Sequence, residues 1–236
     1  MKLNKLVFIL VLAIVAGITV NSASAQTNYT VTTKLIDKYL GSNGGVFFDG
    51  PVVQSDVLRC FENGICANLW VSRGDRGQWG EETDSEVDIN GEWSDENFNV
   101  GILYIFSPPS ASNVLNLYAT ATTDELVGGV RAYFKLEHYL AMEGNDPGRG
   151  SFTHLGLKGD RTLGNFNFGW TVEVFYDTGA FGFSDGTLAA AKATLLYDFG
   201  QLSLGPMIKA TTPIHIANDD GREFDYAVGL VSQFTF

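Results

Sequence analysis

The chain has 236 residues and a formal charge of −12, from 15 Lys and Arg against 27 Asp and Glu. It is 45% apolar and 13% aromatic, with 27 Gly, 2 Cys and 3 His. The low charge content and abundant Phe, Tyr and Gly exclude intrinsic disorder. The acidic balance argues against nucleic acid as a partner, since phosphate contacts need clustered Lys and Arg. Two cysteines exclude a disulfide-rich scaffold and a zinc ribbon, and three histidines argue against a His-rich metal site. No metal and no cofactor is expected.

The chain opens with Lys2 and Lys5, then the apolar run 6–17, then Ala23-Ser24-Ala25 before Gln26. This is the layout of a cleaved signal peptide over 1–25, too short in its apolar run for a membrane span. Gln26 is not Cys, so no lipoprotein attachment is expected. The predicted mature chain, 26–236, forms one domain with 13 basic and 27 acidic residues.

From residue 26 onward no helical period is found. Segments of about ten residues alternate with a period of two, the strand signature. Twelve are predicted: 29–40, 51–61, 65–72, 84–93, 97–106, 113–123, 126–140, 150–159, 165–177, 186–198, 201–212 and 223–236. In 98–106, Phe98, Val100, Ile102, Tyr104 and Phe106 share a face. In 166–177, Phe166, Phe168, Trp170, Val172, Val174 and Tyr176 oppose Asn167, Thr171, Glu173 and Asp177. The segment 51–61 is the least regular, because Arg59 falls on the parity of Val53 and Val57.

The connections alternate in length. Those at 62–64, 94–96, 123–125, 160–164 and 199–200 are short; those at 41–50, 73–83, 107–112, 141–149, 178–185 and 213–222 are long. A bilayer offers no water to backbone N–H and C=O groups, so only helices or closed barrels span it. Tilted strands of 9–11 residues are long enough. The fold class expected is therefore all-β: a closed antiparallel transmembrane β-barrel of about twelve strands, with short periplasmic turns, long extracellular loops and both termini periplasmic. A soluble β-sandwich also alternates, but predicts neither the loop rhythm nor such aromatic faces. The chain ends on Phe236, two residues after Phe234, as an outer-membrane assembly signal does.

Within 64–108 the runs GICANLWVS, SEVDINGEW and FNVGILYIFSP follow in order. This stretch resembles the TorF-like porin family of Gram-negative outer-membrane proteins. In that family a strand of the form G-x-Y-x-G-x-W-x-S precedes an acidic E-x-D strand and a Tyr-rich strand. Trp70, Ser72, Glu86, Asp88 and Tyr104 occupy the matching places. Cys66 departs from the pattern, and Lys38-Tyr39-Leu40-Gly41 stands where the family has an aromatic-Arg-Gly element. The resemblance implies an outer-membrane barrel of porin type and no particular substrate.

The inward parity carries charge of both signs. Candidate pore-lining residues are Glu86, Asp88, Glu92, Arg131, Lys135, Glu137, Glu173, Lys192 and Lys209. Asp56, Lys34, Lys158, Asp177, Asp198 and Asp225 share that parity. Two readings stand: a charged wall that selects solutes, weakly favouring cations through its acidic excess, or an internal salt-bridge network that fills the barrel. Cys60 and Cys66 flank Asn63-Gly64. A three-residue loop sets them face to face and a two-residue turn sets them diagonal. Export permits a disulfide, and one is expected.

Asn218-Asp219-Asp220-Gly221 lacks the spacing of a calcium loop and reads as a solvated turn. The loop aromatics Phe47, Phe48, Trp79, Phe181 and Phe183 fit either the mouth of the barrel or its interface belt. No hydrolase constellation is found: His138 lies on the lipid-facing parity, His154 follows Ser151 closely on an inward parity, and His215 is in a loop. The expected function is a narrow passive channel for small polar solutes or ions and not an enzyme. The alternative is a non-conducting structural or surface-interaction barrel; a barrel enzyme ranks third. Expected partners are outer-membrane lipid, lipopolysaccharide and, through Phe236, the barrel-assembly machinery.

Overall fold

The computed structural model describes residues 29–41, 44–74, 85–106, 113–141 and 149–236. The expected signal peptide 1–25 and Trp79 lie outside them. Fourteen strands are described: β1 (Tyr29–Ile36), β2 (Tyr39–Leu40), β3 (Val46–Phe48), β4 (Val52–Cys60), β5 (Ile65–Gly74), β6 (Ser85–Ser94), β7 (Phe98–Phe106), β8 (Val114–Thr122), β9 (Val130–Ala141), β10 (Gly150–Leu163), β11 (Phe166–Asp177), β12 (Gly186–Asp198), β13 (Leu202–Ile216) and β14 (Asp225–Thr235). The only helical element among the described residues is a 3₁₀ turn at Ala180–Gly182.

Twelve strands, β1 and β4–β14, form a closed antiparallel barrel; β2 and β3 form a separate hairpin. Each wall strand pairs with its sequence neighbours, and β1 closes the ring against β14 from Thr30↔Thr235 to Ile36↔Gly229. Tyr29 and Phe236 exchange backbone hydrogen bonds of 2.9 and 3.0 Å, so the seam is bonded to its last residue. Tyr29, Phe236 and the short turns lie at one end of the barrel, the terminal end; the strand ends that flank the long connections lie at the other, the loop end.

The period of two sets the faces. Outward positions carry exposed apolar side chains on nearly every strand, among them Val53, Ile89, Ile102, Leu117, Leu136, Leu155, Val174, Ile208 and Leu230. Aromatic rings gather at the two rims. Tyr29 stacks on Phe236 at 5.7 Å and Phe166 meets Tyr197 at 5.0 Å toward the terminal end, while Phe224 and Tyr226 pair at 6.3 Å toward the loop end. An apolar band between aromatic girdles is what a lipid-facing barrel requires. Arg59 shares the outward parity of Val53 and Val57, at the terminal rim. Its guanidinium lies 5.0 Å from the Tyr29 ring and 4.5 Å from that of Phe61, the interfacial placement of a long basic side chain.

Several expectations on element bounds are corrected. β5, β10 and β13 run on to Gly74, Leu163 and Ile216, into the expected connections 73–83, 160–164 and 213–222. The segment 29–40 is not one strand. β1 stops at Ile36 because Asp37 turns back on β14, with its N–H on the Val228 carbonyl and its carboxylate accepting from the Val228 N–H at 2.9 Å. The expected loop 41–50 contains β3, which pairs with β2. Residues 126–129 belong to a turn rather than to β9, since Gly128 and Gly129 hold positive φ of 61° and 86°, a region that favours glycine.

Cys60 and Cys66 face each other in register and are joined by a disulfide across the β4–β5 turn. Mass spectrometry without reductant will find no free thiol. The double change Cys60→Ser, Cys66→Ser leaves a folded barrel and lowers its stability by at most about 2 kcal/mol, because the closed loop is short.

Candidate functional site

The lumen is crossed by the β2–β3 hairpin. Lys38, at its root, is bonded to Asp225 at 2.8 Å. Tyr39 reaches one wall: its hydroxyl donates to Glu86 Oε1 on β6 at 3.0 Å, and its ring lies 5.9 Å from that of Trp70 on β5. The hairpin backbone reaches another wall, where Lys209 Nζ on β13 donates to the carbonyls of Leu40 and Gly41 at 2.9 and 2.8 Å. Phe48 lies over Gly74 on β5, where a Cβ would come within 2.5 Å of its ring. Only glycine admits that approach.

Above the hairpin the loop end is packed. Ile105, Val114, Tyr139, Phe152, Phe175, Ala180 and Leu188 form a buried apolar cluster inside the barrel. Phe181 joins it, 4.9 Å from Tyr139 and 5.9 Å from Phe47. Phe181 holds φ 59°, a left-handed conformation costly for an aromatic residue, and the packing of its ring offsets that strain. Of the loop aromatics, Phe47, Phe48, Phe181 and Phe183 all turn toward the interior of the mouth rather than to the belt. Arg222 bonds Asp177 and Asp220 at 2.8 Å each, donates to the Ser184 carbonyl, and stacks 5.0 Å over Phe183. Asn218, Asp219 and Gly221 are exposed, as expected of a solvated turn, while Asp220 makes that turn a clasp to the loop at Ser184 through Arg222 and the Ser184 N–H.

Below the hairpin the wall is polar and its charges are sorted. Glu86, Asp88, Asn90 and Glu92 line β6, and Lys192 lies on β12, six strands away around the ring of twelve. Lys192 and Lys209 are direct cross-strand partners. A network lies between these walls. His154 is buried, with Nε2 2.8 Å from Glu137 and Nδ1 3.0 Å from Glu173. Ionised carboxylates only accept, so the matching ring is an imidazolium donating from both nitrogens. Lys135 bonds Glu137 at 2.8 Å, Tyr133 donates to Glu173 at 2.6 Å, and Asn116 donates to Glu137 at 3.2 Å. Two cations thus meet two carboxylates.

The nine candidate pore-lining residues all lie on inward parities, but in different company. Lys135, Glu137 and Glu173 belong to the His154 network. Glu86 is held by Tyr39, and Glu92 accepts from Tyr118 at 2.7 Å. Asp88 Oδ1 is buried with no hydrogen-bond partner among the described residues. Arg131 is exposed near the terminal end, opposite Lys158. Sequence reasoning missed Tyr39, Asn116, Tyr118 and Tyr133 as partners of these groups. The closeness of Ser151 and His154 along the chain does not carry into space. Ser151 and His154 lie on opposite faces of β10, and Ser151 Oγ is instead 2.8 Å from Nδ1 of His138, its cross-strand partner on the outer face. Among the described residues no carboxylate orients His138, and no group of three or more His, Cys, Asp or Glu is arranged to hold a metal ion.

Among the described residues, two cavities of the lumen bear on the site. One of about 570 Å³ faces the terminal end and is lined by Trp70, Asp88, Glu92, Tyr118 and Glu137 among others. The other, of about 380 Å³, lies under the hairpin and is lined by Lys34, Tyr39, Trp70, Lys192 and Lys209 among others. Trp70 belongs to both.

No protein-family model matches the sequence, and no curated protein matches it. Solved structures do match in fold. The chain is similar to KdgM porin, with a TM-score of 0.54 and 12% identity over 89% of this chain and 99% of that one. It is similar to NanC porin at 0.54 and 12%, over 87% and 98% of the two chains. An outer-membrane channel from Pseudomonas putida F1 matches at 0.50 and 10%, over 91% and 97%. The fold is thus that of outer-membrane barrels of porin type.

The loop clasp carries a pH dependence. Burial pushes the Asp220 carboxyl up, but the hydrogen bonds from Arg222 outweigh it and hold the group below the usual carboxylate range. Its contribution is therefore complete above the ordinary aspartate range and is lost only as pH falls through the lower folded value. Asp220→Asn will speed amide exchange at Ser184, whose N–H donates to Asp220 at 2.8 Å, on the order of tenfold at neutral pH. Unchanged exchange would remove Asp220 from the clasp.

Proposed function

We propose that this protein is a narrow porin-like channel of the bacterial outer membrane, passing small polar solutes or ions by diffusion. The observation that carries the reading is a closed barrel, apolar outside, whose charged interior retains adjoining cavities of about 570 and about 380 Å³. A barrel built only for structure would fill that space with side chains. The solute path runs along Trp70, with Glu86, Asp88, Glu92, Arg131, Lys135, Glu137, Glu173, Lys192 and Lys209 as its wall. Residues 1–25 serve as a signal peptide, both termini face the periplasm, and Phe236 engages the barrel-assembly machinery. Lipid and lipopolysaccharide contact the outer face. The TorF-like porins are the family this reading favours; Tyr39, Trp70 and Glu86, from the matching stretches and the divergent first element, meet in the lumen. We assign no catalytic role: the His138–Ser151 pair stands on the outer face, and among the described residues no carboxylate completes it as a hydrolytic triad.

A second reading, a non-conducting barrel acting through its loops, is favoured by the apolar cluster and the hairpin that close the loop end. Planar-bilayer recording of the refolded chain 26–236 separates the two. The channel reading expects discrete, reproducible conductance steps. A silent barrel that is folded, as its heat-modifiable gel mobility would show, would contradict it.

A further inference from the structure

The cavity under the hairpin has an unusual charge. Lys192 and Lys209 face each other directly across β12 and β13. Like charges at directly opposed positions are destabilising. Their outer cross-strand partners, Thr171 and Ala227, are neutral. Lys34 is the third ammonium within electrostatic reach of both. Lys209 is pinned by the hairpin carbonyls of Leu40 and Gly41. Lys34 and Lys192 have no hydrogen-bond or ion-pair partner among the described residues.

The acids nearby do not neutralise this group. Glu173 lines the cavity but is committed to His154 and Tyr133. Asp56 lies within electrostatic reach of Lys34 and Lys192 and offsets one charge. Lys38, at the rim, is already paired with Asp225. Three ammonium groups therefore face one uncommitted carboxylate, in a cleft whose walls focus the field.

We propose that this cavity is a binding subsite for small organic anions, with Lys34 and Lys192 taking the carboxylate and Lys209 fixing the hairpin that roofs it. The volume of about 380 Å³ is that of about a dozen waters, which admits a small carboxylate and excludes a polymer. Tyr39 and Leu40 line the roof, so a solute that passes the hairpin enters the subsite. The acidic wall of β6 repels the same anion from the other side of the lumen and keeps it against the lysines. The subsite names the solute class of the channel and rests on the channel reading for that role.

The test uses succinate and its uncharged isostere succinamide at matched ionic strength. Calorimetry on the folded barrel in detergent measures binding, and the planar bilayer measures block of the chloride current. The subsite expects succinate to bind at least about tenfold more tightly than succinamide and to lower the conductance. Lys192→Gln and Lys34→Gln each weaken succinate binding by about tenfold, the effect of one charge-assisted contact, while Lys192→Arg retains it. Gel mobility checks that each variant folds. Equal binding of the two probes, or full binding by both Gln variants, overturns the subsite while normal conductance steps leave the channel intact. Charge-selective binding to a barrel that never conducts overturns the channel reading and leaves a binding site.

Discussion

The structure depends on closing its sheet. In hydrocarbon an unpaired backbone N–H or C=O costs several kcal/mol, and a barrel leaves no edge on which such groups could stand. Here the cost is avoided by pairing β1 with β14 along the whole of β1 and by the reciprocal bonds of Tyr29 and Phe236. Once the ring is closed, every strand residue faces either outward or into the lumen. The exposed Val, Ile, Leu and Phe side chains have the lipid-facing environment to suit, and the charged residues, rim positions such as Arg59 apart, have the lumen.

The lumen then has to satisfy its own charges. It does so unevenly. Around His154 four charged groups are matched one to one, with Tyr133 and Asn116 meeting further acceptor positions. Elsewhere the charges are separated across the ring, acidic on β6 and basic on β12 and β13. The hairpin uses that separation. Tyr39 donates to the acidic wall and the backbone carbonyls accept from the basic wall, so each end of the strap finds the partner its chemistry needs. Internal ion pairing and unneutralised charge thus occur on different arcs of one barrel.

The wall was legible in the sequence because its signal is local. Alternation marked twelve segments, 51–61 least regularly, and parity told which residues look inward. What escaped depends on long-range register. Residues 37–40 continue the alternation of β1, so nothing local shows that Asp37 leaves the wall and that Tyr39 crosses the lumen. Tyr39, Tyr118 and Tyr133 carry an apolar ring and a polar tip, which suits a lipid rim as well as a hydrogen bond to a carboxylate. His154 joins Glu137 and Glu173 only once β9, β10 and β11 are set in register. The same pairing brings Ser151 to His138, although Ser151 is only three positions from His154 along the chain. The opposition of β6 and β12 follows from the strand count and the closure together, neither of which a single segment encodes.

The hairpin, beneath the apolar cluster of the loop end, narrows the lumen inside a wider wall. Single-channel conductance of the refolded protein, compared with a variant in which residues 38–49 are replaced by a short Gly–Ser link, tests this most directly. The account predicts small steps from the native chain and steps several-fold larger from the variant, with both barrels folded. Equal conductance from the two would contradict it.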